Sequence, residues 1–527
     1  MLDNPIQNYF DVVVYGGTAG GVIAAVTAAR EGLNVALLEP GNHLGGMVTG
    51  GLSATDHGEK QVVGGYALEF YERLGRHYGC EIEWYSEPHI AEKVLLEMVK
   101  EAGTVSVFYR HRLRENDGVN KDGTGISEIR LENGSVFRAD LFVDASYEGD
   151  LMAQSGVSYA WGREGMSQYG ESLAGVRPKD PNHQFDFPVS AYGEDGKLLP
   201  EIWLEPPGKL GSADRKIQAY NFRMILTNDP SNCVSFPPPT DYDPDRYELL
   251  ARFLAEYANQ YGRLPRVDEI LLPREIANRK WDFNNRGPFS TDYIGKNWAY
   301  PNTSYEKRAV MWQSHINYTE GLFYFLAHDV RVPKFLQDEL NEFGLAKDEF
   351  VDNENWPYQL YIREARRMVG DFVMTQKDVQ TELTKPDSIG MGSYNSDSHN
   401  VQRYVTDEGH AQNEGNMEVP VAPYQIPFGL LLPKRSQVTN LLVTVCFSAS
   451  HVTYSTLRME PVYMIIGQAA GVAAKMALDE KASVQDVDAA ALTARLRNQR
   501  AVVEWTSPET KRQVPQRFDG KPSDYGN

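Results

Sequence analysis

Residues 11–39 read DVVVYGGTAGGVIAAVTAAREGLNVALLE, and this stretch decides the fold. The first five residues predict a β-strand, and the alanine-rich run from Gly21 to about Gly32 predicts a helix. The turn GGTAGG lies between them, and a second apolar strand ends at Glu39. A strand, a glycine turn, a helix and a second strand with a terminal acid form the layout of a dinucleotide-binding βαβ unit.

The small residues of the turn each have a physical reason. Gly16 allows a tight turn, small side chains at 17–20 let the backbone approach a pyrophosphate, and Gly21 lets the helix pack closely on the strand. Phosphates would then meet the helix N-terminus. Glu39 could accept hydrogen bonds from ribose hydroxyls and would repel the 2′-phosphate of NADP. Thr18 replaces the middle glycine of the standard fingerprint, where it would either clash or hydrogen-bond to a phosphate.

Further motifs favour a flavin over a plain nicotinamide nucleotide. Residues 40–51 (PGNHLGGMVTGG) form a second glycine-rich loop that could surround a bulky isoalloxazine ring. A strand predicted at 136–143 is followed by the turn DASYEGD at 144–150. Towards the C-terminus, NLLVTV at 440–445 predicts another strand. The Gly/Ala-rich stretch 461–478 predicts a helix packed tightly on a sheet, with its N-terminus facing a ligand.

These motifs resemble the glutathione-reductase-like class of FAD proteins. They are most similar to the bacterial FAD-dependent oxidoreductases, some of which are labelled xanthan-lyase-like. The segments KWDFNN at 280–285, YIREARRMVG at 361–370 and STLRMEP at 455–461 share the resemblance, which covers nearly the whole chain. It implies an α/β fold with a discontinuous Rossmann-like FAD-binding domain and an inserted α+β substrate domain. It also implies that the isoalloxazine lies near the start of the C-terminal helix.

Domain boundaries are predicted from the positions of these motifs. Residues 1–160 are expected to form the first part of the FAD-binding domain, and residues 425–490 its second part. Residues 161–424 are expected to form the substrate or cap domain, and 491–527 a C-terminal helical tail. The middle region holds six of the eight Trp residues, whose rings could stack on a sugar or fill a core.

The expected FAD contacts come from the glycine turn, the second loop and the segments that converge on them. They are Gly16, Gly17, Thr18, Ala19, Gly20, Gly21, Glu39, Pro40, His43, Leu44, Gly45, Gly46, Met47, Arg112, Ala145, Ser146, Ser450, Arg458 and Met459. His43 could instead be a covalent attachment point for the flavin, although a loop histidine is more often a hydrogen-bonding residue.

Two histidines are candidates for proton transfer. Removing a hydride from an alcohol carbon also requires a base for the hydroxyl proton, and imidazole titrates near neutral pH. His399 ends the Gly/Ser-rich segment 387–399, which predicts a loop suited to lining a site. His451 follows the strand predicted at 440–445, which places it near the flavin by analogy with the class.

An arginine is the third catalytic candidate. The segment 361–374 predicts a helix in which Arg363 and Arg367, spaced i and i+4, share one face while Arg366 lies on an adjoining one. That face could clamp a carboxylate or a flavin carbonyl. It could equally be a salt-bridged scaffold with neighbouring acids.

The composition restricts the partners and the location. The 527 residues include 72 acidic and 52 basic side chains, and the formal net charge of −20 disfavours nucleic acid and anionic lipid surfaces. No apolar run is long enough to span a membrane. The N-terminus lacks a signal-peptide pattern, which predicts a cytoplasmic location unless a signal has been removed.

The three cysteines do not indicate a metal or redox centre. Cys80, Cys233 and Cys446 are far apart and form no C-x-x-C pair, so they are expected to be buried, inert thiols. His43, His399 and His451 have no close His or carboxylate spacing, and no metal is predicted.

The leading hypothesis is an FAD-dependent enzyme that transfers a hydride from a small polar substrate, such as a carbohydrate or hydroxy acid, to flavin N5. Oxygen, a quinone or another carrier could accept the electrons from the reduced flavin. The chain could also form a homo-oligomer. One alternative is reduction of an activated double bond, with Arg367 or Arg458 as electrophilic support. FAD could also be structural in a binding protein, or NAD could replace it, which would give a colourless protein.

Overall fold

The computed structural model describes residues 8–505. The strands are β1 Asn8–Tyr15, β2 Val35–Glu39, β3 Val105–Tyr109, β4 Val119–Asp122, β5 Gly125–Arg130, β6 Val136–Asp144, β7 Tyr159–Ala160, β8 Met224–Thr227, β9 Cys233–Val234, β10 Leu271–Glu275, β11 Lys280–Asn285, β12 Gly344–Ala346, β13 Arg367–Met368, β14 Ser388–Gly392, β15 Ser396–Ser398, β16 Gln402–Val405, β17 Ala411–Glu414, β18 Met417–Val419, β19 Tyr424–Pro427 and β20 Leu441–Val443. The helices are α1 Ala19–Arg30, α2 Gly65–Tyr78, α3 Pro88–Ala102, α4 Asp150–Gln154, α5 Met166–Tyr169, α6 Glu248–Tyr261, α7 Tyr305–His328, α8 Lys334–Leu340, α9 Gln376–Gln380, α10 His451–Leu457, α11 Glu460–Glu480 and α12 Ala489–Asn498.

A seven-stranded sheet in the order β3-β2-β1-β6-β5-β4, with β20 also paired to β6, forms the centre of the α/β fold. β1 runs parallel to β2 and β6, and β20 runs parallel to β6 with Leu442 opposite Val143. The strands predicted at 11–15, 35–39, 136–143 and 440–445 are therefore all present. The two ends of the chain meet in one sheet, as the resemblance implied.

Helices α1 and α11 pack against each other through their backbones. A Cβ atom at Gly467 would lie 2.2 Å from the carbonyl oxygen of Gly20, so no larger residue fits where the two helices meet. Helix α11 confirms the helix predicted at 461–478. This helix is apolar and long enough to cross a membrane. However, 89% of its most apolar 18-residue stretch is buried inside the protein, as expected for a core helix.

The segment inserted between β6 and β20 contains a second, antiparallel sheet in the order β10-β11-β8-β12-β9. Helices α6, α7 and α8 belong to the same stretch of chain, which gives it the predicted α+β character. Four two-stranded ribbons complete the insertion, among them β14 with β19 and β15 with β18. The domain boundaries given above remain predictions.

The prediction of a helix at residues 361–374 is wrong. These residues, all in the described part of the chain, form loops and the short strand β13, in which Arg367 pairs with Ala160. The arginines that suggested a helical face instead reach acids in distant segments. Arg363 pairs with Asp292 and Arg366 with Asp150. Buried long-range ion pairs thus outweigh local helix propensity.

Two smaller predictions also need correction. The Gly/Ser-rich segment 387–399 is not simply a loop, because most of it forms β14 and β15. Small residues suit these ribbons because a Cβ atom at Gly390 would lie 2.2 Å from the Ile465 side chain. Of the cysteines, Cys446 is buried, but Cys233 is only partly buried and Cys80 is exposed.

Candidate functional site

The glycine turn after β1 closes against other parts of the chain. Gly16 has a φ of +103°, and a Cβ atom there would lie 2.6 Å from the backbone nitrogen of Ser146, so the turn requires glycine. A Cβ atom at Gly20 would lie 2.7 Å from the carbonyl oxygen of Tyr463 on α11. The start of α1 is therefore built jointly by the N-terminal and C-terminal parts of the sheet.

Thr18 acts as the N-cap of α1. Its hydroxyl oxygen accepts a hydrogen bond from the Gly21 N–H at 3.1 Å, and its hydroxyl donates to the Ala145 carbonyl at 2.8 Å. Thr18 thus satisfies one of the free amide groups at the helix start. Its hydroxyl joins the glycine turn to the end of β6.

Glu39 lies at the end of β2 with its carboxylate held by backbone amides. The Gly17 N–H donates to Oε2 at 2.8 Å, and the Gly41 N–H donates to Oε1 at 2.5 Å. Burial raises the pKa of Glu39 to about 7, although both amide hydrogen bonds act in the opposite direction. The carboxylate is fixed at the position where the βαβ pattern predicts contact with a ribose.

The second glycine-rich loop is attached to the same turn. The Gly45 N–H donates to the Gly17 carbonyl at 2.7 Å, and the fully buried Leu44 anchors the loop in the core. The Met47 N–H donates to the Tyr147 hydroxyl at 2.9 Å. The loop therefore bridges the glycine turn and the segment after β6.

A buried acid stands behind this loop. The Tyr147 hydroxyl donates to Oε1 of Glu460 at 2.7 Å, and Oε2 of Glu460 has no hydrogen-bond partner among residues 8–505. Burial raises the pKa of Glu460 to about 8. Glu460 is the first residue of α11, so the helix start, Tyr147 and the glycine-rich loop form one unit.

A cavity of about 600 Å³, the first cavity, opens beside the ends of β1, β2 and β6. Of the predicted FAD contacts, the ones that line it are Gly16, Thr18, Glu39, Pro40, His43, Gly46, Arg112 and Ser146. Residues from the inserted segment, including Tyr300, Tyr305, Arg308 and Trp312, line the opposite wall. The cavity therefore lies between the central sheet and the insertion.

The other predicted FAD contacts lie outside the walls of the first cavity. They are Gly17, Ala19, Gly20, Gly21, Leu44, Gly45, Met47, Ala145, Ser450, Arg458 and Met459. Some of them hydrogen-bond to wall residues, as the Ala145 carbonyl does to Thr18 and the Gly17 N–H to Glu39. Ser450 caps α10, and its hydroxyl donates to Glu171 at 2.5 Å.

His43 lies at the rim of the first cavity. Its ring stacks on Tyr358, with the ring centroids 3.5 Å apart. Nδ1 lies 3.2 Å from Glu92, and Nε2 lies 3.2 Å from Asp352. Burial alone would lower the pKa of His43, but the two carboxylates outweigh it and raise that pKa above its ordinary value. Both ring nitrogens are engaged by acids.

The first cavity fits a dinucleotide with a ribose and a pyrophosphate. The close backbone approach at Gly16 and the start of α1 suit a pyrophosphate, because a helix N-terminus attracts anions and the first turn of α1 carries no acid. Glu39 suits a ribose hydroxyl. Arg112, at the far side, pairs with Glu132 and lies over the ring of Tyr305.

A second cavity, also of about 600 Å³, lies near the first. The same two chain segments line both: Thr49 and Gln359 contribute to the first cavity, and Asp56 and Tyr361 to the second. Two of the predicted site residues, His399 and Arg458, line the second cavity. The structure therefore brings these two residues together in the wall of the second cavity.

His399 is buried and held by an acid. Its Nδ1 lies 2.7 Å from Oδ2 of Asp292, and Asp292 also pairs with Arg363 at 2.9 Å. Burial lowers the pKa of His399, and Arg363 lowers it further, while Asp292 opposes both. Nε2 lies 3.8 Å from Asp397, which is another residue of the cavity wall.

His451 and Arg367 belong to a separate buried network. Nδ1 of His451 lies 2.9 Å from Glu364, which also bonds to Arg367. Arg367 donates to Glu164 at 2.5 Å. Neither His451 nor Arg367 lines either cavity. Of the two roles proposed for Arg367, these contacts match the salt-bridged scaffold.

Arg458 is 2% exposed. One of its terminal nitrogens donates to the Tyr361 hydroxyl at 2.9 Å, and the other donates to the Asp397 carbonyl at 2.8 Å. Both partners line the second cavity. The guanidinium is therefore fixed in the cavity wall.

Sequence reasoning missed several residues of this site. Asp292 lies in a segment without a recognisable motif. Tyr394 and Asp397 lie in the Gly/Ser-rich segment 387–399, of which the sequence analysis named only His399 as a site residue. Asp292 is recognised as a site residue only from its hydrogen bond to His399 in the folded structure.

One acidic cluster has the spacing of a metal site. Ligand atoms of Glu87, His89 and Glu349 lie within 4.8 Å of one another. The buried Lys280 ammonium, however, donates to Glu87 at 2.7 Å and to Glu349 at 2.6 Å. The lysine supplies the positive charge that these carboxylates require.

Solved structures resemble limited parts of the chain. L-Proline dehydrogenase from P. horikoshii is 13% identical over 30% of this chain and 59% of its own, with a TM-score of 0.24. p-Nitrophenol 4-monooxygenase from Pseudomonas putida DLL-E4 is 14% identical over 30% of this chain and 46% of its own, with a TM-score of 0.23. L-Amino acid deaminase from Proteus vulgaris is 16% identical over 31% of this chain and 61% of its own, with a TM-score of 0.23. The chain thus spans less than two thirds of each.

Comparison with protein families covers much more of the chain than these solved structures do. No curated protein matches the sequence significantly. The model of a family described as FAD dependent oxidoreductase matches residues 11–496, which include both halves of the central sheet and the insertion between them. The chain therefore belongs to the FAD-dependent oxidoreductase family and is an enzyme whose cofactor is FAD.

Proposed function

We propose that this enzyme oxidises an alcohol carbon of a small polar substrate, such as a carbohydrate or a hydroxy acid, with His399 as the base. The observation that carries the proposal is the position of His399, a buried imidazole oriented by Asp292 in the wall of the second cavity, which is lined mainly by polar groups. FAD, when bound, would accept the hydride from the substrate carbon.

The contacts of His399 suit a general base. Asp292 accepts a hydrogen bond from Nδ1 and leaves Nε2 as the proton acceptor. Because the pKa of His399 lies below its ordinary value, the imidazole is neutral and able to take the hydroxyl proton at neutral pH. The C–H electron pair leaves as hydride and the proton stays on His399, so the product is a carbonyl compound. An external acceptor, oxygen or a quinone, would take up the two electrons.

Arg458 and Tyr361 are proposed to orient the reacting hydroxyl. The guanidinium and the phenol are hydrogen-bonded to each other, so both groups are already in place before a substrate arrives. On the FAD side, Gly16, Glu39 and Ser146 are proposed to hold the pyrophosphate and ribose, and Gly46 of the second glycine-rich loop to contact the ring system. Thr18, Ala145 and Met459 would support these contacts from behind.

The test is an anaerobic titration of the purified yellow holoenzyme with sugars and hydroxy acids, following loss of flavin absorbance. A productive substrate should bleach the wild type, and His399→Asn should reduce the rate of bleaching by about 10²-fold or more. His451→Asn is the matched comparison, because His451 lies outside both cavities. Equal rates in His399→Asn and the wild type, or no bleaching by any alcohol in the panel, would overturn the proposal.

A second candidate is reduction of an activated double bond, with Arg458 polarising the substrate. The buried guanidinium in the wall of the second cavity favours it. Arg367 does not, because Glu164 and Glu364 already occupy it. Reoxidation of chemically reduced enzyme by an enone, with no bleaching by alcohols, would select this function.

A further inference from the structure

We infer that the outer end of the second cavity is a binding subsite for a further sugar ring, so that the substrate is a glycoside or oligosaccharide rather than a free monosaccharide. This inference rests on the proposed function, since it places the oxidised carbon at His399. The cavity has two chemically different ends joined by one polar floor, and only one end contains the proposed base.

The floor of the second cavity is one face of the antiparallel sheet. Leu272 and Arg274 alternate along β10, and Asn284 lies opposite Leu272 on β11. Alternate residues of a strand share a face, and these three residues all line the cavity. Phe283, which points the other way, is fully buried in the core. The floor thus presents the Asn284 amide and the Arg274 guanidinium beside the side chain of Leu272.

The inner end is lined by buried, ionisable side chains. His399, Arg363 and Arg458 are 8%, 1% and 2% exposed, and each is already fixed by a hydrogen bond or ion pair. Rigid, desolvated groups of this kind can orient one reacting ring closely.

The outer end presents one exposed aromatic ring, that of Tyr261, next to the buried ring of Tyr257. Tyr257 and Tyr261 lie one turn apart at the end of α6, with ring centroids 4.6 Å apart, and Tyr261 is 47% exposed. The Arg263 guanidinium lies over the Tyr257 ring and donates to Glu269 at 2.7 Å. The Tyr261 hydroxyl donates to Asp186 at 3.2 Å. Aromatic faces next to fixed carboxylate and guanidinium groups can stack on a sugar and bond its hydroxyls.

The size of the cavity supports an extended ligand. Its volume is about 600 Å³. A single hexose ring held at His399 would leave the part of this space beside Tyr261 to water. Binding pockets usually enclose most of their ligand and are largely filled by it. A ligand that fills this cavity would therefore be longer than one sugar ring.

The experiment compares each monosaccharide with a disaccharide that contains it, using the holoenzyme under anaerobic conditions. Glucose is paired with cellobiose, galactose with lactose, and lactate and malate serve as single-unit alcohols. We expect at least one disaccharide to bleach the flavin with a kcat/KM about tenfold or more above that of its monosaccharide.

The variant Tyr261→Ala should lower the ratio of disaccharide to monosaccharide kcat/KM about tenfold, through loss of stacking. Phe335→Ala, which removes a similarly exposed ring on α8 outside both cavities, is the control and should leave the ratio unchanged.

The outcomes separate this inference from the proposed function. Equal kcat/KM values for every pair, oxidation of hydroxy acids alone, or an unchanged ratio in Tyr261→Ala would overturn the subsite and leave alcohol oxidation standing. No bleaching by any sugar or hydroxy acid would overturn both.

Discussion

Nδ1 of His399 lies 2.7 Å from Oδ2 of Asp292, although 107 residues separate them in the sequence. Burial alone would raise the pKa of Asp292, but Arg363 and His399 outweigh it and hold that pKa well below its ordinary value. Asp292 therefore remains ionised throughout the neutral range and fixes the orientation of the imidazole.

Replacing Asp292 should weaken His399 as a base. Asp292 raises the pKa of His399, so Asp292→Asn should lower that pKa further. The acidic limb of the kcat/KM profile should therefore move to lower pH, and its plateau should fall about tenfold or more because the imidazole is less basic and less well oriented. Steady-state kinetics between pH 4 and 9 measure both effects. Asp195→Asn, an exposed control, should change neither; an unshifted limb in Asp292→Asn would contradict the assignment.

Replacing Glu39 should weaken FAD binding. Loss of the carboxylate removes its expected bonds to the ribose and releases the Gly17 and Gly41 amides. A charged hydrogen bond contributes about 1.5–3 kcal/mol, so Glu39→Ala should raise the FAD dissociation constant at least tenfold. Titration of the stripped protein, followed by flavin fluorescence, gives the constant. Glu101→Ala, an exposed carboxylate on α3 outside both cavities, serves for comparison. Identical affinity in Glu39→Ala and the wild type would refute the role.

The Thr18 cap should be measurable as stability. Thr18→Val keeps the shape but removes the hydroxyl that caps α1 and bonds to Ala145. The free energy of unfolding should fall by about 1–2 kcal/mol, whereas Thr18→Ser should stay close to the wild type. Urea denaturation of the holoenzyme tests this pair. Equal loss in both variants would show that the methyl group, and not the cap, is what matters.

Glu460 should make the protein less stable at alkaline pH. Its pKa is raised to about 8 in the folded state, so the folded state holds a proton that the unfolded chain has lost above about pH 4.5. This contribution to stability is complete below that pH and disappears as the pH rises through 8. Between pH 6 and 9 the wild type should lose about 3 kcal/mol more than Glu460→Gln, which has no proton to release. Parallel pH profiles of the two proteins would show that Glu460 is not protonated.

Local patterns predicted the parts of the fold in which neighbouring residues act together. The run from β1 through α1 to Glu39 and the helix α11 follow from periodicity and glycine placement, and the structure contains both. The segment 361–374 could not be predicted, because Arg363 and Arg366 are placed by Asp292 and Asp150 rather than by their neighbours. The second cavity was missed for the same reason, since its walls come from five or more distant stretches. The sequence motifs indicated His399 and Arg458 as site residues. No motif indicated that Asp292 would hydrogen-bond to His399.

The contact of Gly20 with Gly467 has a consequence for biosynthesis. The helix that begins the nucleotide site must leave the ribosome more than four hundred residues before its partner helix is made. During that interval the apolar face of α1 and the edge of β6 that pairs with β20 have no native partner, which exposes the nascent chain to misassociation. Chaperone demand should therefore fall late in synthesis, when α11 emerges, and loss of that helix should prevent maturation of the whole enzyme.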